Sequence, residues 1–363
     1  MNRKCVGCGA TLQATDIDKP GFVPSLTETM TICKRCFRMM HYNELPKIVA
    51  SNQEYEQVID VVVQKKALMV FLVDLFAFKS TFHPLMVNRL KDKDIILVAN
   101  KVDLLPKSTN LSKVVDWISK ECQKQSLSPL VIGVASAKKG SFIDDLIEAI
   151  DLARKERDVY FVGCANVGKS SIINALLKRT TNRTEDLIAT SLVPGTTLNE
   201  IRIPYFEDNC ALVDTPGLIN ETDILNHILP ISYKKIVPNH ELKPVTYQLQ
   251  DQNSIFLGGL AVLKFKTKER VSVTVYASRD LYLHRTKTSK VEELLATQLG
   301  TLLVPPVPEE ISKLNYRKHH FTINGKKDIW FSGFGFVQIS GNTIVEVECI
   351  ENTEVYLTNA ILG

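Results

Sequence analysis

The stretch Gly163-Cys164-Ala165-Asn166-Val167-Gly168-Lys169-Ser170 constrains this chain more than any other. It follows an apolar run, Val159-Tyr160-Phe161-Val162, and opens a helical pattern, Ser171-Ile172-Ile173-Asn174-Ala175-Leu176-Leu177. That is strand, glycine-rich loop, helix in the pattern G-x-x-x-x-G-K-[ST], the cradle of a nucleotide's phosphates. Gly163 and Gly168 let backbone N–H groups approach the phosphates, and the helix N-terminus adds positive potential. Lys169 can reach the β- and γ-phosphates, and the Ser170 hydroxyl can ligate Mg²⁺. Asn166, Val167 and Ser171 complete the candidate phosphate-binding residues.

At 363 residues the chain has room for two or three domains, each with its own core. Its 45% hydrophobic and 23% charged content is that of a globular chain, and the net charge of +4 permits a nucleic-acid partner without demonstrating one. The longest apolar run, Ala67 to Phe78, is broken by Asp74, so no membrane partner is expected. Met1-Asn2-Arg3-Lys4-Cys5 has neither the apolar region of a secretory signal nor an Arg/Ser-rich presequence, and a cytoplasmic location is the expectation.

Four cysteines fall in two C-x-x-C knuckles, Cys5/Cys8 and Cys33/Cys36. Two such knuckles present four thiolates that complete a tetrahedron, which predicts a closed, structural Zn²⁺ site in a small domain over 1–45. The stretch between them, with Lys19-Pro20-Gly21, reads as a loop or a short ribbon. Lys34, Arg35, Arg38 and His41, beside Phe37 and Tyr42, are either an RNA-touching cluster or a solvated face.

Residues 46–66 carry helix-spaced apolars (Tyr55, Val58, Ile59, Val62), and Leu68 to Asp74 reads as a buried strand. The next strand, Asp94 to Ala99, runs into Asn100-Lys101-Val102-Asp103, the N-K-x-D guanine motif. Asp103 can accept from guanine N1–H and the exocyclic amine, Asn100 can brace the loop, and the Lys101 stem can cover the base. Adenine would leave the carboxylate unpaired, which is a strong basis for discrimination. A third strand, Pro129 to Val134, leads to Ser136-Ala137-Lys138, an S-A-K element whose Ala137 N–H meets guanine O6. Beyond the phosphate loop, Pro194-Gly195-Thr196-Thr197 resembles a first switch segment, with Thr197 favoured over Thr196 as a magnesium ligand. A final strand, Cys210 to Val213, delivers Asp214-Thr215-Pro216-Gly217, where Asp214 would hold Mg²⁺ through water and the Gly217 N–H would sense the γ-phosphate.

These elements stand in an unusual order. A Ras-like chain runs phosphate loop, first switch, D-x-x-G, N-K-x-D, S-A-K, whereas here N-K-x-D and S-A-K come first. The expected fold is α/β: a circularly permuted P-loop GTPase domain over 46–222, with a mostly parallel sheet and helices on both faces. A mainly β domain over 223–363 is expected to follow it. In this order the second switch leads straight into the C-terminal domain, so nucleotide state could move that domain.

With its cysteine knuckles, its permuted motifs and a further domain, the chain resembles the YqeH family of ribosome-assembly GTPases. The match is carried by Cys5, Cys8, Cys33 and Cys36, Asn100 to Asp103, Gly163 to Ser170, Pro194 to Thr197 and Asp214 to Gly217. The resemblance implies GTP hydrolysis, GTP/GDP with Mg²⁺ and Zn²⁺, and a role on the small (30S) ribosomal subunit and its rRNA, with a ribosomal protein as a further candidate partner. Lys169, Thr197 and Gly217 would be its catalytic residues. Leu218 stands where Ras-like proteins carry a water-positioning glutamine, so intrinsic hydrolysis is expected to be slow. Asn166 matches the asparagine that in several such GTPases ligates K⁺ in place of an arginine finger; a loop-bracing amide is the other reading.

In the last third, Ile224 to Lys235 reads as helical with Pro230 as an interruption. Short β-branched runs from Val245 predict an antiparallel domain split by a helix near Val291 to Leu299. Lys264, Lys266, Lys268 and Arg270 at period two, with Arg285, Lys287, Arg317 and Lys318, are an RNA-facing surface or a solvated sheet face. A monomer is assumed.

Overall fold

The computed structural model describes residues 52–179, 200–218 and 228–362 apart from 352, together with 3, 5, 11–16, 21–27, 30–34, 193–194 and 224. Cys8, Cys36, Thr196 and Thr197 lie outside the described residues. The chain divides into two compact units: one of residues 1–74, 81–101 and 118–219, the other of 75–80, 102–117 and 220–363.

The first unit is built on a sheet of β1 (Leu68–Asp74), β2 (Ile95–Asn100), β3 (Val131–Val134), β4 (Val159–Gly163), β5 (Val193–Pro194), β6 (Ile201–Pro204) and β7 (Ala211–Asp214), in the order β3-β2-β1-β4-β7-β6-β5. From β3 to β7 all pairings are parallel, and β6 and β5 add antiparallel strands at one edge. A parallel strand covered on both faces must be apolar at every position, and β1, β2 and β4 are buried throughout. Three helices of this unit are α1 (Asn52–Val62), α2 (Ile143–Arg154) and α3 (Lys169–Arg179). On α3, Ile172, Ile173, Leu176 and Leu177 make one buried stripe, and Lys178 and Arg179 complement the dipole at its C-terminus. At the far N-terminus Cys5, Leu12, Val23 and Cys33 form a small buried cluster. Backbone bonds from Gln13 N–H to the Gly21 carbonyl and from Val23 N–H to the Gln13 carbonyl favour the short ribbon over the loop among the described residues between the knuckles.

In the second unit two five-stranded antiparallel sheets share one core. The first sheet is β12 (Leu283–Lys287), β9 (Asn253–Leu257), β10 (Ala261–Lys266), β16 (Thr343–Ile350) and β13 (Tyr316–Ile323), in that spatial order. The second is β17 (Val355–Asn359), β14 (Lys326–Phe331), β15 (Gly335–Ser340), β11 (Val271–Ala277) and β8 (Val245–Leu249). Alternate residues such as Leu263, Phe265, Val273, Val275, Val337 and Val347 fill the space between them. On the opposite face of the second sheet Tyr276, Phe336, Trp330 and Tyr356 occupy one cross-strand row, with Phe336 and Trp330 ring centroids 4.3 Å apart. Trp117, from one of the two short stretches that join this unit, stacks on Trp330, and Phe76, from the other, tilts against it.

Pro230 begins α4 (Pro230–Ile236), standing in its first turn, where no intrahelical N–H is needed; residues 225–227 of the expected helix lie outside the described residues. The helix expected near 291–299 is α5 (Val291–Gln298), whose Val291 packs with Phe256, Val262 and Leu303. Lys268 and Arg270 sit in the turn after β10, so they do not extend its lysine face. Lys264 is clamped by Glu346, Glu348 and Glu292, Arg317 pairs with Glu351, and Lys318 lies 3.8 Å from Glu346. Among the described residues no helix is long and apolar enough to cross a membrane.

Candidate nucleotide site

Parallel strands align their carboxyl ends, and the ligand crevice of an open α/β sheet lies there. At this edge β1, β2, β4 and β7 end on Asp74, Asn100, Gly163 and Asp214. Segments far apart in sequence thus meet at one rim.

The phosphate loop is packed too tightly for side chains at its glycines. A Cβ on Gly168 (φ +97°) would fall 2.3 Å from Asn100 Nδ2, and one on Gly163 (φ +149°) 2.4 Å from the Leu72 carbonyl. Asn166 takes a left-handed φ of +63°, which asparagine tolerates better than most residues. Its side chain is exposed, whereas that of Val167 is buried. The Lys169 ammonium donates to the carbonyls of Gly163 (3.1 Å) and Cys164 (3.0 Å). Burial pulls its pKa down, against the opposing pull of Asp214 and Cys164.

Ser170 Oγ donates to Asp214 Oδ2 at 2.8 Å, which joins the start of α3 to the end of β7. Two hard oxygen ligands so close fit a small divalent cation. Thr215 Oγ1 donates to the Phe161 carbonyl (2.7 Å), and the backbone of Leu218 pairs with the phosphate loop: Ala165 N–H donates to Leu218 (2.7 Å) and Leu218 N–H to Gly163 (3.3 Å). Gly217 lies under that seam, where a Cβ would come 2.7 Å from Ala165 Cα and 2.9 Å from Lys169 Nζ. Leu218 is 3% exposed.

The base-recognition segments meet through one buried amide. Asn100 Nδ2 donates to the Val167 carbonyl (2.9 Å), and Asn100 Oδ1 accepts from Ala137 N–H (3.2 Å). The N-K-x-D asparagine therefore ties the phosphate loop to the S-A-K loop. Buried Ser136 shapes the latter, its Oγ accepting from Lys139 N–H (3.0 Å) and its carbonyl from Gly140 N–H (2.8 Å). Lys138 and Ser171 are exposed, and Asp103 lies half-buried in the single 3-10 turn Val102–Leu104. The sequence pattern marks Asp74 as the end of a buried strand and a break in a longer apolar run, and in the structure its carboxylate pairs with Lys101. An acidic residue closing a fully apolar strand beside N-K-x-D was the available signal.

Cys5 and Cys33, one from each knuckle, are both buried, and Cys33 N–H donates to Cys5 Sγ at 3.2 Å. Among the described residues no cluster of three or more metal-ligating side chains occurs.

A phosphate loop on a parallel sheet, a Ser/Asp oxygen pair at its mouth and an N-K-x-D amide bracing it define a P-loop GTPase domain. In agreement, residues 158–256 match the family model described as 50S ribosome-binding GTPase, and 270–361 match YqeH-like, C-terminal. YqeH of Bacillus subtilis (strain 168) is 38% identical over 339 residues, covering 92% of each chain. NO-associated protein 1, chloroplastic/mitochondrial, of Arabidopsis thaliana is 29% identical over 92% of this chain and 69% of its own. GTPase Der of Buchnera aphidicola subsp. Acyrthosiphon pisum (strain Tuc7) is 25% identical over 59% of this chain and 49% of its own. The chain belongs to the YqeH family.

Proposed function

We propose that this protein binds and hydrolyses GTP as an assembly factor of the small ribosomal subunit, using a circularly permuted GTPase domain to couple nucleotide state to rRNA binding. The observation that carries the nucleotide half is the Asn100 amide, which joins the phosphate loop to the S-A-K loop through two hydrogen bonds. Such a brace serves a ligand that spans both loops, and a guanine nucleotide does so. The permuted reading is supported by the order of the motifs along the chain against their arrangement at one sheet edge.

In the proposed mechanism Lys169 leaves its loop carbonyls for the β- and γ-phosphate oxygens and neutralises charge that grows as the γ-phosphoryl departs. Ser170, Thr197 and Asp214, the last through water, would hold Mg²⁺, which would supply positive charge to offset that of the phosphates. The Gly217 N–H faces the γ-phosphate. Leu218, apolar and buried, positions no water, so turnover is slow until a further charge arrives. Asn166 is suited to ligate a potassium ion that would supply it, and the ribosomal subunit would order the loops around it. Cys5, Cys8, Cys33 and Cys36 are proposed to hold a structural Zn²⁺, supported by the proximity of Cys5 and Cys33. The second unit is proposed to meet rRNA or a ribosomal protein, and the protein to work as a monomer in the cytoplasm.

A second reading, favoured by the burial of Leu218, is a GTP-gated binding switch in which hydrolysis is incidental. GTP hydrolysis in KCl against NaCl, with and without small subunits and with an Asn166→Ala variant, separates the two. Stimulation by potassium and subunits, lost in the variant, supports the ion-assisted enzyme. Flat rates with GTP-dependent subunit binding support the switch.

A further inference from the structure

Asp74 closes β1 in register with Asn100, at the rim that also carries Gly163 and Asp214. A carboxylate ending an otherwise apolar buried strand must be paired to be tolerated. Asp74 Oδ2 accepts from Lys101 Nζ, with the two side chains only 12% and 30% exposed. The end of the strand is itself fixed, because Asp74 N–H donates to Thr81 Oγ1 at 3.0 Å. Lys101 has a left-handed φ of +74°, a conformation that a long L side chain rarely takes. Its stem therefore leaves the backbone in an unusual direction, and the ion pair at its tip selects among its rotamers. An unrestrained lysine loses roughly 1.5–2 kcal/mol of rotamer freedom when a ligand orders it.

We propose that Asp74 is a positioning residue for the guanine base: it holds the Lys101 ammonium so that the aliphatic stem is already ordered where the base plane lies. The inference rests on the nucleotide reading above. Asp74 acts through Lys101, a residue of the base-recognition motif, so its effect falls on the base side and is equal for GTP and GDP.

The test is titration of the full-length protein with fluorescent mant-GDP, with GTP and GDP as competitors. It compares wild type, Asp74→Asn, Asp74→Glu, Lys101→Ala and the double variant Asp74→Asn/Lys101→Ala. Asp74→Asn should weaken GDP and GTP alike by about tenfold, the scale of one hydrogen bond to a charged group. Lys101→Ala should lose at least as much, and the double variant no more than Lys101→Ala. Asp74→Glu keeps the carboxylate, should lose less than the asparagine variant, and carries the test if that variant does not fold. Binding by Asp74→Asn within about twofold of wild type overturns the proposal, as do losses that multiply in the double variant or a loss confined to GTP. If wild type binds neither nucleotide, the underlying reading fails and the inference with it. If wild type binds and only Lys101→Ala is weakened, the inference alone fails.

Discussion

Replacing Asn100 by alanine tests the site at its narrowest point. The amide is 4% exposed, donates to the Val167 carbonyl at 2.9 Å and accepts from Ala137 N–H at 3.2 Å. Its removal leaves the buried Val167 carbonyl and the part-buried Ala137 N–H without this partner, and an unsatisfied buried group costs about 1–3 kcal/mol when nothing replaces the bond. Water entering the space left by the side chain brings the sum to the low end, about 2–3 kcal/mol, or roughly 30- to 150-fold in affinity. The assay is mant-GDP binding by stopped flow, with the thermal midpoint of the nucleotide-free protein followed by circular dichroism. Part of the loss appears in that midpoint, at about 2–4 °C per kcal/mol for a unit of this size, because the two loops are joined in the protein itself. Asn100→Asp is the internal control. It keeps an acceptor for Ala137 N–H but sets a carboxylate against the Val167 carbonyl, so it should bind nucleotide no better than the alanine variant. Near-wild-type binding by Asn100→Asp, or a loss below about threefold with an unmoved midpoint in Asn100→Ala, would refute the bracing argument.

Gly217→Ala should lower GTP hydrolysis by about 100-fold and weaken GTP more than GDP, measured by phosphate release and mant-nucleotide competition, because the new methyl group meets Ala165 Cα at 2.7 Å and Lys169 Nζ at 2.9 Å. Asp328 is fully buried, and burial raises its pKa to about 6, against the pull of Ile361 N–H, the Gln338 amide and Lys326. Its folded value lies above its unfolded one, so the ionised form opposes folding above about pH 6, and the opposition fades as pH falls toward 4. Denaturant melts should therefore show wild type gaining roughly 2–3 kcal/mol on Asp328→Asn between pH 7 and pH 4. Full-length protein should carry about one zinc ion by elemental analysis, and Cys5→Ser and Cys33→Ser should each lose it.

Much of the nucleotide site was legible because each motif sits where a strand of strong local pattern ends. Leu68 to Asp74 reads as a strand from its unbroken apolar run, and the structure begins and ends β1 on those residues. What was illegible depends on register and on distant partners. Lys264 looked like a solvent-facing cation, but the pairing of β10 with β16 sets it opposite Glu346, a relation that neither strand's own pattern contains. The role of Asp74 emerges only when β1 and β2 lie side by side. The aromatic row Tyr276-Phe336-Trp330-Tyr356 is likewise written one residue per strand, and its cover, Phe76 and Trp117, comes from stretches that local pattern assigns to the nucleotide domain.

The pairing of β1 with β4 joins residue 68 to residue 159, whereas β1 meets β2 within a few dozen residues. As the chain leaves the ribosome, the three strands of the base-recognition half are complete before the phosphate loop has been made. At about 5–20 residues per second, this half waits for seconds with one edge strand, apolar from Leu68 to Val73, unpaired. Nucleotide cannot shorten that wait, since Asn100 has no phosphate loop to hold until Val167 arrives. During that interval the growing chain is a half-sheet with a sticky margin, and its safety rests on the speed of synthesis or on whatever covers β1 in the meantime.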